Sequence, residues 1–264
     1  MSGEFDGRVC VVTGSGAGIG RATARELAAR GASVVVSDFD PAGGEETVAL
    51  IEADGGSATF VAADVTDGEA VVALMAAAAD AYGGIDVLHN NAGVHETSLT
   101  DQTSSETLSD EVFDRVLDIN VKGTWRCSRA AFPYLKESEH AAIVNSASVV
   151  SYQAFPMGPA YCMSKAAILG MTRSMATDWA QFGIRVNCYC PGSIETKFLS
   201  GYWEGSEDPE ALKRELVSVN LIKRLGRPED VAEVVCFLAS DRTAWVTGSE
   251  YMVDGGMLAW RGAS

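Results

Sequence analysis

The chain has 264 residues, 47% of them hydrophobic, with only 7 prolines and 27 glycines, a composition that supports a large buried core and excludes a disordered or fibrous protein. Its formal charge of −16, from 20 basic against 36 acidic side chains with no basic run, argues against nucleic acid as a partner. No apolar run approaches the roughly 20 residues of a membrane span, and neither a linker nor a low-complexity stretch divides residues 1–264, so one domain is expected.

In chain order, Arg8 to Thr13 (RVCVVT) is a short apolar run closed by glycines, and Arg21 to Arg30 follows with helical periodicity. The alternation repeats: SVVVS at 33–37, a helix over 41–53, ATFVA at 58–62, a helix over 69–82, IDVLH at 85–89. A long helix is expected over 111–135, then strand AAIVNS at 141–146, a helix over 160–182 and strand IRVNCY at 184–189. A helix over 230–238 and strand EYMVD at 250–254 close the pattern. Repeated β-α-β units with nearly continuous apolar strands imply an α/β fold: a doubly wound parallel sheet with helices on both faces, three layers in all. Residues 195–225 break the alternation. That segment is polar, spotted with aromatics and longer than an ordinary connection, as lids and binding loops are.

The amino terminus, with charges of both signs around no apolar core, does not read as a signal peptide. Six cysteines without a C-x-x-C pair, several in apolar stretches, fit a reducing cytoplasm. Three scattered histidines (His89, His95, His140) give no metal motif, so no metal is expected.

The first candidate site is the turn Thr13-Gly14-Ser15-Gly16-Ala17-Gly18-Ile19-Gly20, placed where the first strand enters the first helix. Glycines there let the backbone bend tightly and approach a pyrophosphate at the helix amino terminus, with Gly14, Ser15, Ala17, Gly18 and Ile19 as expected contacts. Asp38, at the end of the second strand, stands where an acid reaches the adenosine ribose. A 2′-phosphate would meet like charge there, and the positions for a compensating base hold Ser15 and Phe39. The expected cofactor is therefore NAD rather than NADP.

Tyr161 and Lys165, in YCMSK, project from one face of a predicted helix, and Ser148 follows the strand that ends in IVNSAS. In a parallel sheet all three open on the same edge as the glycine turn. Oxidising an alcohol needs a base for the hydroxyl proton, whereas free tyrosine has a pKa of about 10. Lowering it to about 7 requires roughly 4 kcal/mol of phenolate stabilisation. A unit charge about 4 Å away supplies on the order of 4 kcal/mol at an effective dielectric of about 20, so Lys165 is suited to do it. Ser148 would hold the substrate oxygen as charge develops.

With these motifs, Asp64-Val65, the Asn90-Asn91-Ala92-Gly93 turn, Asn120, Pro191-Gly192 with Ile194 and Thr196, and the RLGRPEDVAEVVCFLAS and VTGSEYMVDGG segments, the chain resembles the short-chain dehydrogenase/reductase family over essentially its whole length. The resemblance implies a Rossmann fold with a seven-stranded sheet and a homotetramer. It further implies adenine contacts from Asp64 and Val65, and a cofactor cleft lined by Asn91, Ala92 and Gly93, with Pro191 and Gly192 beside it. Ile194 and Thr196 would contact the nicotinamide amide, and Tyr161 and Lys165 would also touch the cofactor, Lys165 at the ribose. Asn120 would hold a water in a proton relay. Two departures stand out: His89 replaces a small apolar residue before Asn90, and residues 94–110 are slightly long. Both are expected either to shape the substrate side of the cleft or to be neutral.

Candidate substrate contacts are Val150, Gln153, Phe155 and Met157 between Ser148 and Tyr161, with Phe198, Tyr202 and Trp203 in the lid. Their apolar and aromatic character points to a hydrophobic alicyclic or steroid-like alcohol or ketone. A sugar or polyol dehydrogenase and a 3-oxoacyl thioester reductase remain as alternatives, though Asp38 speaks against the NADPH usual for the second. A cofactor-sensing regulator or a methyltransferase would need no tyrosine, lysine and serine together.

Overall fold

The computed structural model describes residues 3–156, 158–200 and 208–259. The chain alternates strand and helix: β1 (Val9–Thr13), α1 (Gly18–Ala29), β2 (Ser33–Asp38), α2 (Pro41–Ala53), β3 (Ser57–Ala62), α3 (Gly68–Tyr82) and β4 (Val87–Asn90). The second half runs α4 (Asp110–Leu117), α5 (Thr124–Leu135), β5 (Ala142–Ser146), α6 (Pro159–Trp179), β6 (Arg185–Pro191), α7 (Lys197–Ser200), α8 (Pro209–Ser218), α9 (Pro228–Ala239) and β7 (Glu250–Val253).

The strands form one parallel sheet in the order β3-β2-β1-β4-β5-β6-β7. Val11 pairs with Val35 of β2 and Leu88 of β4, so β1 lies inside the sheet between them. Successive side chains of a strand point to opposite faces, and here both faces are apolar. Cys10, Val12, Val34 and Val36 pack with Leu27 of α1 and Val235 of α9. Val11, Val35, Leu88 and Ile143 pack on the other side with Leu74 of α3, Leu135 of α5 and Met175 of α6. Two cores on one sheet explain why the strands read as unbroken apolar runs.

Between β1 and β4 the chain reverses direction across the sheet, since β2 and β3 are laid down on one side and β4 to β7 on the other. Ligands of such sheets bind in the crevice beyond the strand carboxyl ends at this reversal. Helix starts are set locally: Asp40 accepts from the Ala42 N–H ahead of Pro41 in α2, and Asp67 accepts from Glu69 and Ala70 in α3. The start of α1 differs. It has no side-chain cap and no acid in its first turn, which leaves its amide donors to the glycine turn and to whatever lies against it.

One expected element is corrected. The long helix predicted over 111–135 is two α-helices joined by a π-helical turn at Asp118–Gly123. The extra residue in that turn brings Asn120 inward, and the Asn120 carbonyl accepts from the Thr124 hydroxyl at 2.9 Å. Periodicity alone cannot reveal a one-residue insertion flanked by good helix on both sides. The segment at 195–225 carries two helices, α7 and α8, with residues 201–207 between them outside the described set. Among the described residues, no helix is long and apolar enough to cross a membrane.

Candidate active site

The glycine turn and the turn after β4 are tied together at the reversal point. The Asn91 side chain donates to the carbonyls of Thr13 (3.1 Å) and Gly14 (2.9 Å), while the Thr13 hydroxyl accepts from the N–H groups of Asn91 and Ala92. Gly14 has φ +62°, and a Cβ there would lie 2.8 Å from the Ala92 Cα, so both conformation and closeness require glycine. Asp38, at the end of β2, accepts from the Gly16 N–H at 2.8 Å through one carboxylate oxygen and from the Asp40 N–H through the other. Ser15 is turned inward, exchanging hydrogen bonds with the backbone of Val12 and Ser37, and Phe39 is 78% exposed. Uncapped α1, its approachable glycine turn and the acid beside it match the shape and charge of a dinucleotide. The residues present therefore fit the cofactor that the motifs imply.

The remaining sequence-predicted cofactor positions lie along the same edge. Asp64, after β3, accepts from the Thr66 N–H and hydroxyl, and buried Val65 packs against Gly123 of the π-helical turn. The Gly192 N–H donates to Val253, Ile194 bridges to Gly226, and the Thr196 methyl comes against Gly18 of the glycine turn.

Lys165 is buried on α6, where its ammonium donates to the Ser146 carbonyl at 2.8 Å and lies 5.6 Å from the centre of the Tyr161 ring. Burial pulls its pKa down to about 8, which leaves it mostly protonated near neutrality. Ser148, at the end of β5, accepts from the Val150 N–H at 3.3 Å, which leaves its own hydroxyl hydrogen for another acceptor. Asn120 grips the backbone of Val94, accepting from its N–H at 2.8 Å and donating to its carbonyl at 2.9 Å, and also donates to the Ser164 hydroxyl. A Cβ at Gly93 would lie 3.2 Å from the Asn120 Oδ1 and 3.6 Å from the Lys165 Nζ, so Gly93 faces a gap between these two groups. Tyr161, Lys165 and Asn120 thus stand by the turn that bears Gly93, and Ser148 follows β5 on the same edge of the sheet.

The expected substrate residues divide. Phe198 of α7 meets the Tyr161 ring at 5.7 Å between centroids; Val150 is half-buried and Phe155 is partly exposed on the loop before α6, as is Gln153. Met157, Tyr202 and Trp203 lie outside the described residues.

Two residues not singled out as site residues in the sequence stand at the site itself. The His95 ring lies 4.8 Å from the Tyr161 ring and 6.0 Å from the Phe198 ring. Its neighbour Glu96 is fully buried and accepts from the backbone of Ala160 and Tyr161. His89, in contrast, faces the core rather than the substrate side: its Nε2 meets the Tyr189 hydroxyl at 3.0 Å, and that hydroxyl donates to Asn91 Oδ1 at 3.4 Å. Burial and the Lys165 charge push the His89 pKa down to about 3, so the ring is neutral. Burial also raises the Tyr189 hydroxyl, keeping it protonated.

A doubly wound parallel sheet with a glycine turn at its reversal point is the architecture of a dinucleotide-binding fold. The chain belongs to the short-chain dehydrogenase/reductase family, whose members use nicotinamide cofactors. A family model described as Enoyl-(Acyl carrier protein) reductase matches residues 14–258. The chain is 38% identical to a 3beta-hydroxysteroid dehydrogenase 1 of Eggerthella lenta, covering 99% of this chain and 98% of that one. It is 36% identical to a cyclohexanol dehydrogenase of an Acinetobacter strain, covering 97% of this chain and 96% of the other. The crystal structure of levodione reductase superposes with a TM-score of 0.92 at 32% identity, covering 97% of this chain and all of that one.

Proposed function

We propose that the protein is an NAD-dependent dehydrogenase that interconverts a hydrophobic, alicyclic or steroid-like secondary alcohol and its ketone. The observation that carries this reading is buried Lys165 set between the Tyr161 ring and the turn at Gly93, on the sheet edge where Ser148 follows β5.

In the oxidative direction Ser148 donates to the substrate oxygen and holds it at Tyr161. The Tyr161 phenolate takes the hydroxyl proton, and the Lys165 ammonium stabilises that phenolate. A bound nicotinamide would supply the acceptor for the hydride of the carbinol carbon. The proton then returns to solvent through a water assigned to the gap at Gly93, between the Asn120 Oδ1 and the Lys165 Nζ. Gly14, Ser15, Ala17, Gly18 and Ile19 would hold the pyrophosphate, Asp64 and Val65 the adenine, and Ile194 and Thr196 the nicotinamide amide. Lys165 also holds the nicotinamide ribose.

The preference for NAD rests on Asp38, with inward Ser15 and exposed Phe39 at the positions where a base would neutralise a 2′-phosphate. Direct titration tests it: NADH should bind at least tenfold more tightly than NADPH, and tighter NADPH binding overturns the assignment. The substrate class rests on the apolar character of Val150, Phe155 and Phe198, of which Phe198 meets the Tyr161 ring, and on kinship with enzymes named for cyclohexanol and a 3β-hydroxysteroid. A panel of cyclic, steroidal and polyol alcohols, followed by NADH formation, tests it; turnover confined to polyols overturns it. The catalytic assignment is tested by Tyr161→Phe, which should abolish turnover on every accepted substrate while NADH affinity stays within a few-fold. Unchanged turnover sinks it. We further propose a homotetramer located in the cytoplasm, in keeping with the family resemblance and with six unpaired thiols.

A further inference from the structure

The helix that carries Tyr161 and Lys165 begins without a cap of its own. Its N-cap residue is Gly158, with no side chain to accept a hydrogen bond, and Pro159 follows with no N–H to offer. The next two amides, of Ala160 and Tyr161, are the orphan donors of the first turn, before Cys162 bonds back to the Gly158 carbonyl at 2.9 Å. Both are met by one carboxylate from a remote part of the chain. Glu96 accepts from Ala160 through Oε1 at 2.9 Å and from Tyr161 through Oε2 at 3.2 Å.

Several features make this arrangement specific. Glu96 is 0% exposed, so its side chain has no fallback partner in solvent. It sits in a 3-10 turn, Glu96–Ser98, that leads out of the turn bearing Asn91 to Gly93, so the cap originates beside the cofactor cleft. The place where a local capping side chain would stand is taken by His95: a Cβ at Gly158 would lie 2.8 Å from the His95 Nε2. His95 itself lies against the Tyr161 ring, the two planes tilted by 46°. The backbone nitrogen and the ring of Tyr161 are therefore both referenced to the loop after β4, and through it to the cofactor cleft.

We propose that Glu96 is a positioning residue for the reaction: it caps the catalytic helix in place of a local N-cap and so sets the Tyr161 phenol against Lys165 and the substrate oxygen. This rests on the reading of Tyr161 as the acid/base. Small displacements of a reacting group are enough to cost large factors in rate, so the effect falls on turnover rather than on cofactor binding.

The experiment compares Glu96→Gln, Glu96→Asp and Glu96→Ala with wild type and with Tyr161→Phe. It measures kcat and KM on the alcohol that wild type oxidises fastest, NADH affinity by fluorescence titration, and the thermal midpoint. Glu96→Gln keeps one acceptor oxygen, within 2.9 Å of the Ala160 N–H and 3.4 Å of the Tyr161 N–H, but puts a donating amide group in place of the other oxygen, so it should lower kcat clearly less than Glu96→Ala does. Glu96→Asp, one methylene short of both donors, and Glu96→Ala should lower kcat at least tenfold with NADH affinity within twofold. A Glu96→Asp or Glu96→Ala variant that is folded at the assay temperature and turns over at the wild-type kcat overturns the proposal; if Glu96→Ala does not fold, Glu96→Asp decides. Loss of NADH affinity in step with kcat, or equal damage in Glu96→Gln and Glu96→Ala, also overturns it. A Tyr161→Phe variant that stays active would instead defeat the catalytic reading on which the proposal depends.

Discussion

His89 shows how one buried side chain sets a solution property. In the native state its pKa is about 3, whereas the unfolded chain titrates near the ordinary 6.5, because burial and the Lys165 charge disfavour the imidazolium. Below pH 6.5 the unfolded state binds a proton that the native state refuses, so acidification destabilises the fold until about pH 3. Between pH 7 and pH 5 this single group accounts for about 2 kcal/mol of lost stability. In His89→Leu that part of the loss should vanish, read as a shallower fall of unfolding free energy in urea titrations at the two pH values. The Tyr189 hydroxyl keeps Asn91 as a partner in the variant, so the offset at neutral pH should not mask the change in slope. An equal pH dependence in both proteins would show that His89 does not carry it. Sequence inspection marked His89 as unusual, but the side it faces follows from strand phase: its Nε2 reaches Tyr189 of β6, under the sheet edge rather than over it.

Among the elements, the glycine turn and the π-helical turn do most to shape the site. The glycine turn was readable, since its spacing and its place between a strand and a helix follow from sequence order. Gly14→Ala should weaken NADH binding at least tenfold, because the added methyl meets the Ala92 backbone and the residue must keep φ +62°. Isothermal titration measures it, and unchanged affinity would refute the close approach. The π-helical turn was not readable. Asn120 was named only through family resemblance, and its anchoring depends on Val94 and Ser164 from two other elements. Asn120→Ala removes three buried hydrogen bonds and should cost about 2–4 kcal/mol in chemical denaturation, together with a fall in kcat. The cap on α6 had one sequence sign, a helix start at Gly158-Pro159 with no Ser, Thr, Asp or Asn ahead of it. That absence says that a cap must come from elsewhere, not from where.

For the molecule as a whole, the two cores on one parallel sheet account for the thickness of the domain and for a site formed at the ends of six strands, β1 to β6. Large apolar side chains remain exposed at Trp125 on α5, Met163 on α6 and Trp245 before β7, as surfaces covered by sister chains would be. Light scattering on the eluting protein should give the mass of four chains, and a monomer at micromolar concentration would overturn the proposed tetramer. The fold class, the order of strands and helices, the glycine turn and the tyrosine-lysine pair were determined by the amino-acid sequence alone, because each depends on local periodicity or on spacing within a single turn. Only the tertiary structure decided the inward turn of Asn120, the burial of His89 and the meeting of His95 and Glu96 with Tyr161. Those depend on which side chains a strand or loop brings together across 26 to 100 residues of chain, and no local pattern encodes such distances.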